Sequence, residues 1–167
     1  NVMKEFGPEL FGVVVDPDNS SKGSWGLKGR KGTMRSVGIG TAIEGEGIHF
    51  GAIDDPLDPE AAASPAQLDS AWDWYTDAYR PRLMQGSTTL LVMSRWGLRD
   101  IAGRIEEHQA KTPGSDPWRT VRLPAIAEAP LDADLETWRD ELGRADGESL
   151  WPERWPVEDL RQIQLSI

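Results

Sequence analysis

Ile48-His-Phe-Gly-Ala-Ile-Asp-Asp-Pro56 is the stretch on which the fold turns. It is short, mostly apolar and bounded by a chain-breaking proline, so it reads as a strand that delivers two adjacent carboxylates, Asp54 and Asp55. Farther along, Thr88-Thr-Leu-Leu-Val-Met-Ser94 is a second apolar strand, and it too ends on polar chemistry, Ser94-Arg95-Trp96. Two strands presenting reactive groups at the same edge imply one site.

Helical patterns follow each strand. Ser64-Pro65-Ala66-Gln67 has an N-cap serine, a proline at the first helical position and a glutamine placed to close a capping box. Leu68, Ala71, Trp72, Tyr75, Ala78 and Tyr79 then recur at helical spacing, until Pro81 ends the helix. Trp72, Trp74 and Tyr75 form an aromatic cluster that can stack bases, but helical periodicity favours core packing. After the second strand, Leu98, Ile101, Ala102 and Ile105 form an i, i+3, i+4, i+7 face. Strand, helix, strand, helix predicts an α/β fold with a mostly parallel sheet flanked by helices.

Upstream, residues 10–56 read as strand-rich: Leu10 to Val15 is apolar, Thr33 to Ile39 alternates, and Gly38, Gly40, Gly45, Gly47 and Gly51 mark turns or close backbone approach. Downstream, Trp118 to Leu123 is a candidate third strand and Val157 to Leu165 a last helix. Residues 128–149 read as an acidic, mobile linker with a weak helix around Leu135 to Leu142. Composition therefore divides the chain into 1–127 and 128–167.

With 167 residues, 38% of them hydrophobic, and eight Trp, the chain can build a core of single-domain size. The first residue is Asn1 rather than Met, and Ile167 falls inside a helix-like pattern, so the chain reads as a fragment or processed product. A formal charge of −10 argues against a surface that coats nucleic acid generally, yet the charge is uneven. Between Asn19 and Ile43 lie Lys22, Lys28, Arg30, Lys31 and Arg35 with no acid, a stretch that either touches phosphates or forms a solvated hairpin face. Cysteine is absent, which excludes disulfides, zinc-thiolate sites and a cysteine nucleophile. His49 and His108 lack ligand spacing, and no stretch approaches the roughly 18 apolar residues of a membrane span.

In an open parallel sheet ligands bind beyond the carboxyl ends of the strands, where Asp54, Asp55 and Ser94 to Trp96 fall. Paired acids there suit nucleotide hydrolysis, one carboxylate positioning Mg²⁺ and its neighbour activating the attacking water. The alternative is that Asp55-Pro56 simply opens a turn.

Taken in order, Gly38-Ile-Gly-Thr-Ala-Ile-Glu-Gly-Glu-Gly47, His49-Phe-Gly-Ala-Ile-Asp-Asp-Pro56 with Glu60-Ala61 and Ser64, Trp72-Asp-Trp-Tyr75, Arg82-Leu83, Val92-Met-Ser-Arg-Trp96, Asp100-Ile-Ala-Gly-Arg104, Trp118, Leu123-Pro-Ala-Ile-Ala127 and Gly147-Glu-Ser-Leu-Trp-Pro-Glu-Arg-Trp155 resemble the large terminase subunit of tailed bacteriophages. The resemblance runs from about Gly32 to Ile163. It implies a P-loop NTPase-like domain that uses ATP and Mg²⁺ to pump double-stranded DNA into a procapsid, in the cytoplasm of an infected bacterium. The implied partners are the portal protein, a small terminase subunit and further copies in a ring on the portal. By position, Asp54 resembles the Walker B magnesium carboxylate, and Asp55 stands where many such motors have a catalytic Glu. Ser94 to Trp96 resemble the motif that couples hydrolysis to movement, with Ser94 and Arg95 as nucleotide contacts; Arg95 is equally suited to a structural ion pair.

Three departures accompany the resemblance. No Gly-x-x-x-x-Gly-Lys-Ser/Thr phosphate loop occurs in the chain, so the expected fold lacks its N-terminal phosphate-loop unit. The nuclease domain that the family carries farther on is also missing. Glu46 stands where relatives often have a basic residue. The alternatives from other classes are a non-catalytic prophage remnant and a metal-dependent nuclease using Asp54 and Asp55.

Overall fold

The computed structural model describes residues 2–43, 45 and 47–166. Glu46, and with it the expectation of an acid in the Gly-x-Gly turn, lies outside the described residues, as do Asn1, Glu44 and Ile167. The chain forms two compact units, Asn1–Ser115 and Asp116–Ile167, rather than the single domain that its length suggests. Packing thus divides it ahead of the compositional boundary at 127/128.

The first unit opens with helix α1, Val2–Phe11, which ends at Gly12 in the left-handed region (φ 63°). The apolar run expected as a strand from Leu10 is therefore split. Leu10 and Phe11 finish the helix, and only Val15 starts a strand. Strands β1 (Val15–Ser20), β2 (Ser24–Leu27) and β3 (Thr33–Arg35) then form an antiparallel meander in the order β1-β2-β3. Alternation expected through Ile39 stops at Arg35.

Strands β4 (Ile48–Asp54) and β5 (Leu83–Val92) make a separate parallel pair. The α/β class is observed, but the expected single, mostly parallel sheet is two sheets, the larger of them antiparallel. In β5 the first pairing, Ile48 with Leu83, is followed by a jump to Phe50 with Thr88. Gly86, at φ 75°, takes up the extra residues. The regular register runs from Phe50 opposite Thr88 to Asp54 opposite Val92, so the strand expected at residue 88 is the in-register half of a longer one.

Between these strands lie helices α2 (Pro59–Ala62) and α3 (Pro65–Asp73), a π-helical stretch Trp74–Tyr79, and a 3-10 turn Arg80–Arg82 that includes Pro81. Half of the expected capping box forms: the Gln67 N–H donates to Ser64 Oγ at 3.4 Å. The Ser64 N–H goes instead to the Ala61 carbonyl, tying α3 to α2. Widening into the π form lets Ala71, Tyr75 and Tyr79 all lie buried at spacings of four. Of the aromatic cluster Trp72, Trp74 and Tyr75, Tyr75 is buried in the core, as is Tyr79, while Trp72 and Trp74 are half-buried. Helix α4 (Ile101–Lys111) adds Ile101 and Ile105 to this core, beside Ile53 and Leu57.

Only one face of the β4–β5 pair is covered. Gly51 and Ile53 are buried, whereas on the opposite face Phe50 is 65%, Leu90 50% and Val92 52% exposed.

In the second unit, the expected strand Trp118–Leu123 is irregular, because Pro117 and Pro124 bracket it and neither can donate to a ladder. The expected helix Leu135–Leu142 is also absent. The Asp134 carboxylate accepts the Glu136 N–H and the Asp140 carboxylate accepts those of Leu142 and Arg144, so side chains take up donors in tight turns. Residues 128–149, expected as an acidic linker, form a loop closed by Ala127 N–H to the Glu148 carbonyl at 2.8 Å and an isolated bridge between Ile126 and Ser149. Inside it Arg144 and Asp140 form a largely buried ion pair at 2.7 Å. Helix α5, Val157–Leu165, coincides with the expected last helix. Among the described residues no helix is long and apolar enough to cross a membrane.

Candidate active-site edge

Both acids of the opening stretch sit at the carboxyl end of the parallel pair. Asp54 closes β4 opposite Val92, and the Asp55 N–H donates to the Val92 carbonyl at 2.8 Å, so the two strands finish level. Asp55 has φ 41° and is the described non-glycine residue with a positive φ. This left-handed conformation is uncommon outside glycine, is tolerated best by Asp and Asn, and persists where the surroundings impose it. Here buried Ile53 and Leu57 pin the backbone on either side.

Asp54 and Asp55 are exposed, and among the described residues neither carboxylate has a hydrogen-bond or ion-pair partner. Nearby acids are differently placed. Asp58 caps α2 by accepting the Ala61 N–H at 2.7 Å. Asp69 accepts from Arg99 at 2.9 Å and from Arg104, which bridges α3 to the start of α4 and holds its carboxyl below the usual range. Arg104 also lies over the Trp72 ring, 5.7 Å from its centroid. The strand-end carboxylates thus differ from Asp58 and Asp69, which are held in a cap and in ion pairs.

Beyond β5, Ser94 is exposed at the same end of the sheet. Arg95 is not a free cation. Its Nε lies 3.1 Å from Asp100 Oδ2 and its Nη1 3.1 Å from Glu106 Oε2, and Nη2 donates to the Gly97 carbonyl. Of the two roles open to Arg95, the structural ion pair is the one observed.

Asp100 organises this loop, and it was named above only as part of a longer resemblance. Its buried carboxylate accepts Gly103 N–H at 2.7 Å, Trp96 N–H at 2.9 Å and Gly97 N–H at 3.1 Å, as well as the Arg95 guanidinium. Burial pushes its pKa up, but the hydrogen bonds outweigh this and hold it below the ordinary carboxylate value. An Asp directly before the apolar face of α4 is an N-cap signal that could have found it. Gly103 is required beneath: a Cβ there would meet the Leu98 carbonyl oxygen at 2.5 Å.

Among the described residues no group of three or more His, Asp or Glu converges to hold a metal ion. Asp54 and Asp55 are only two carboxylates, fewer than an all-protein cation cage requires. The same count fits poorly with a two-metal nuclease, which needs further convergent acids.

Neither a family model nor a curated protein matches this chain.

Proposed function

We propose that the chain is the Walker B-bearing part of a DNA-packaging ATPase, the motor portion of a tailed-phage terminase large subunit. One observation supports this most: a parallel strand pair ends level at Asp54, and the next residue, Asp55, is held left-handed with its carboxylate free. In this proposal Asp54 holds Mg²⁺, directly or through water, and Asp55 orients and deprotonates the attacking water. Bound Mg²⁺ would supply charge neutralisation on the phosphates. Ser94 offers its hydroxyl to the γ-phosphate, while Arg95 and Asp100 fix the loop that carries it. The fold proposed is P-loop NTPase-like; because the chain contains no phosphate loop, that element has to be supplied by another segment or subunit. Double-stranded DNA, the portal and the small subunit are the proposed partners, acting with a ring of identical copies in the infected cytoplasm.

The test is Mg²⁺-dependent ATP hydrolysis by a protein extended upstream through a phosphate loop, compared with its Asp54→Ala and Asp55→Ala variants. Loss of about 100-fold or more in kcat in both, with folding retained, is the expected result. Unchanged turnover would leave Asp55-Pro56 as a structural turn. No ATP binding by the wild-type protein would favour the second proposal, a non-catalytic remnant, which rests on the missing phosphate loop.

A further inference from the structure

We infer that the turn Trp151-Pro-Glu-Arg-Trp155 is a docking site for a cationic, proline-rich segment in the polyproline II conformation. Its backbone is fixed from below. The buried Ser149 hydroxyl accepts the Trp151 N–H at 3.2 Å and donates to the Trp155 carbonyl at 2.6 Å, and the Trp155 N–H closes the turn on the Trp151 carbonyl at 2.8 Å. The Leu150 N–H ties the same stretch to the Ala125 carbonyl at 2.8 Å.

What this framework turns outward is apolar. Leu150 is 42%, Trp151 54% and Trp155 44% exposed, and the Arg154 guanidinium lies over the Trp151 ring, 5.4 Å from its centroid. Of the eight tryptophans, only Trp96, in the first unit, is comparably open. Trp and Arg are the side chains that most often anchor interfaces, and a turn shaped beforehand loses little entropy on binding.

Three properties select the ligand. The indole N–H groups of Trp151 and Trp155 have no acceptor among the described residues, so the turn offers two unspent donors. A polyproline II segment answers them, because its carbonyls make no internal hydrogen bonds and its rings pack on aromatic faces, whereas an α-helix spends its carbonyls on itself. Charge selects cations: residues 116–167 hold twelve acids against six arginines, a balance of −6. At and just beyond the turn, Glu153, Glu158 and Asp159 outnumber Arg154 and Arg161 and have no partner among the described residues. The same balance disfavours nucleic acid, whose bases also stack on tryptophan. Finally, three side chains within Leu150–Trp155 make a footprint for a short linear segment, not for a globular face that buries about 800 Å² per partner. The inference stands apart from the ATPase proposal, because it needs neither ATP nor Asp54 and Asp55.

The measurement is fluorescence anisotropy of a labelled oligoproline peptide ending in arginines, titrated with the 167-residue chain, with circular dichroism as the folding check. This peptide should bind at least about tenfold more tightly than a glycine-serine peptide carrying the same arginines. Trp151→Ala and Trp155→Ala should each weaken binding at least about tenfold. Trp155→Phe, which keeps a ring and loses the N–H, should weaken it about fivefold. Leu131→Ala, which removes an apolar side chain exposed elsewhere in the same unit, should bind as the wild type does. The inference is overturned if the oligoproline peptide is not bound, if the glycine-serine peptide binds equally well, or if both folded Trp→Ala variants bind as the wild type does. Preference for an amphipathic leucine-lysine helix through the same two tryptophans would overturn it as well.

Discussion

Tyr79 closes on β4 so tightly that Gly51 has no room for a side chain: a Cβ at Gly51 would lie 1.9 Å from the tyrosine oxygen. That oxygen also hydrogen-bonds Thr89 Oγ1 at 2.9 Å, and Thr89 is the β5 residue paired with Gly51. Gly51→Ala should therefore cost about 2 kcal/mol or more, as overpacking does. Tyr79→Phe alone should cost about 1 kcal/mol, the worth of one hydrogen bond. Combined, they should lose less than the sum, since removing the oxygen takes away the nearest clash, although the ring carbon Cζ would still lie 2.8 Å from the new Cβ. Urea denaturation of the four proteins tests this, and simple additivity would contradict the geometry.

Asp100→Ala removes the acceptor for three backbone N–H groups and one guanidinium. The expected loss is about 3 kcal/mol, because buried donors are left without partners. Asp58→Ala deletes an exposed cap and should cost only about 1 kcal/mol. Equal costs, measured by chemical denaturation, would mean that the 95–100 loop is held by something other than this carboxylate.

Acid should unfold the protein partly through Asp100. Its folded pKa lies below the ordinary carboxylate value of about 4, so its stabilisation is present above that value and is lost as pH falls through the folded pKa. Asp69, shifted the same way by Arg104 and Arg99, should contribute less, because it is half-exposed and screened by salt. Unfolding free energy measured between neutral pH and pH 2 should decline less steeply in Asp100→Asn than in the wild type. Parallel profiles would refute the assignment.

The open face of the parallel pair should make the chain self-associate. Parallel strands are ordinarily covered on both faces, and Phe50, Leu90 and Val92 are left at least half-exposed. Sedimentation should show oligomers whose fraction grows with concentration, and Leu90→Lys should shift them towards monomer. A monodisperse, cooperatively melting wild-type monomer would contradict this.

Strong local signals were legible in the chain. Strand β4, the Ser64 cap and helix α5 could be read directly, because each rests on a contiguous run with its own start or stop residue. Strand β5 was half-legible: the irregular pairing around Gly86 has no apolar period, so only the in-register half from Thr88 showed. What failed depended on competition. Asp134 and Asp140 diverted backbone donors from a helix, and two prolines starved a candidate strand of its ladder. The acid pair was legible as a strand-end feature, but its left-handed Asp55 and the engagement of Arg95 by Asp100 and Glu106 are tertiary facts that no spacing reveals.

Arg95 is tied at once to the cap of α4 and, through Glu106, to the middle of that helix. The loop from Trp96 to Asp100 is consequently fastened to α4 at two points about a turn and a half apart, its cap and Glu106, so a substitution at Arg95 would loosen the start of the helix as well as the loop.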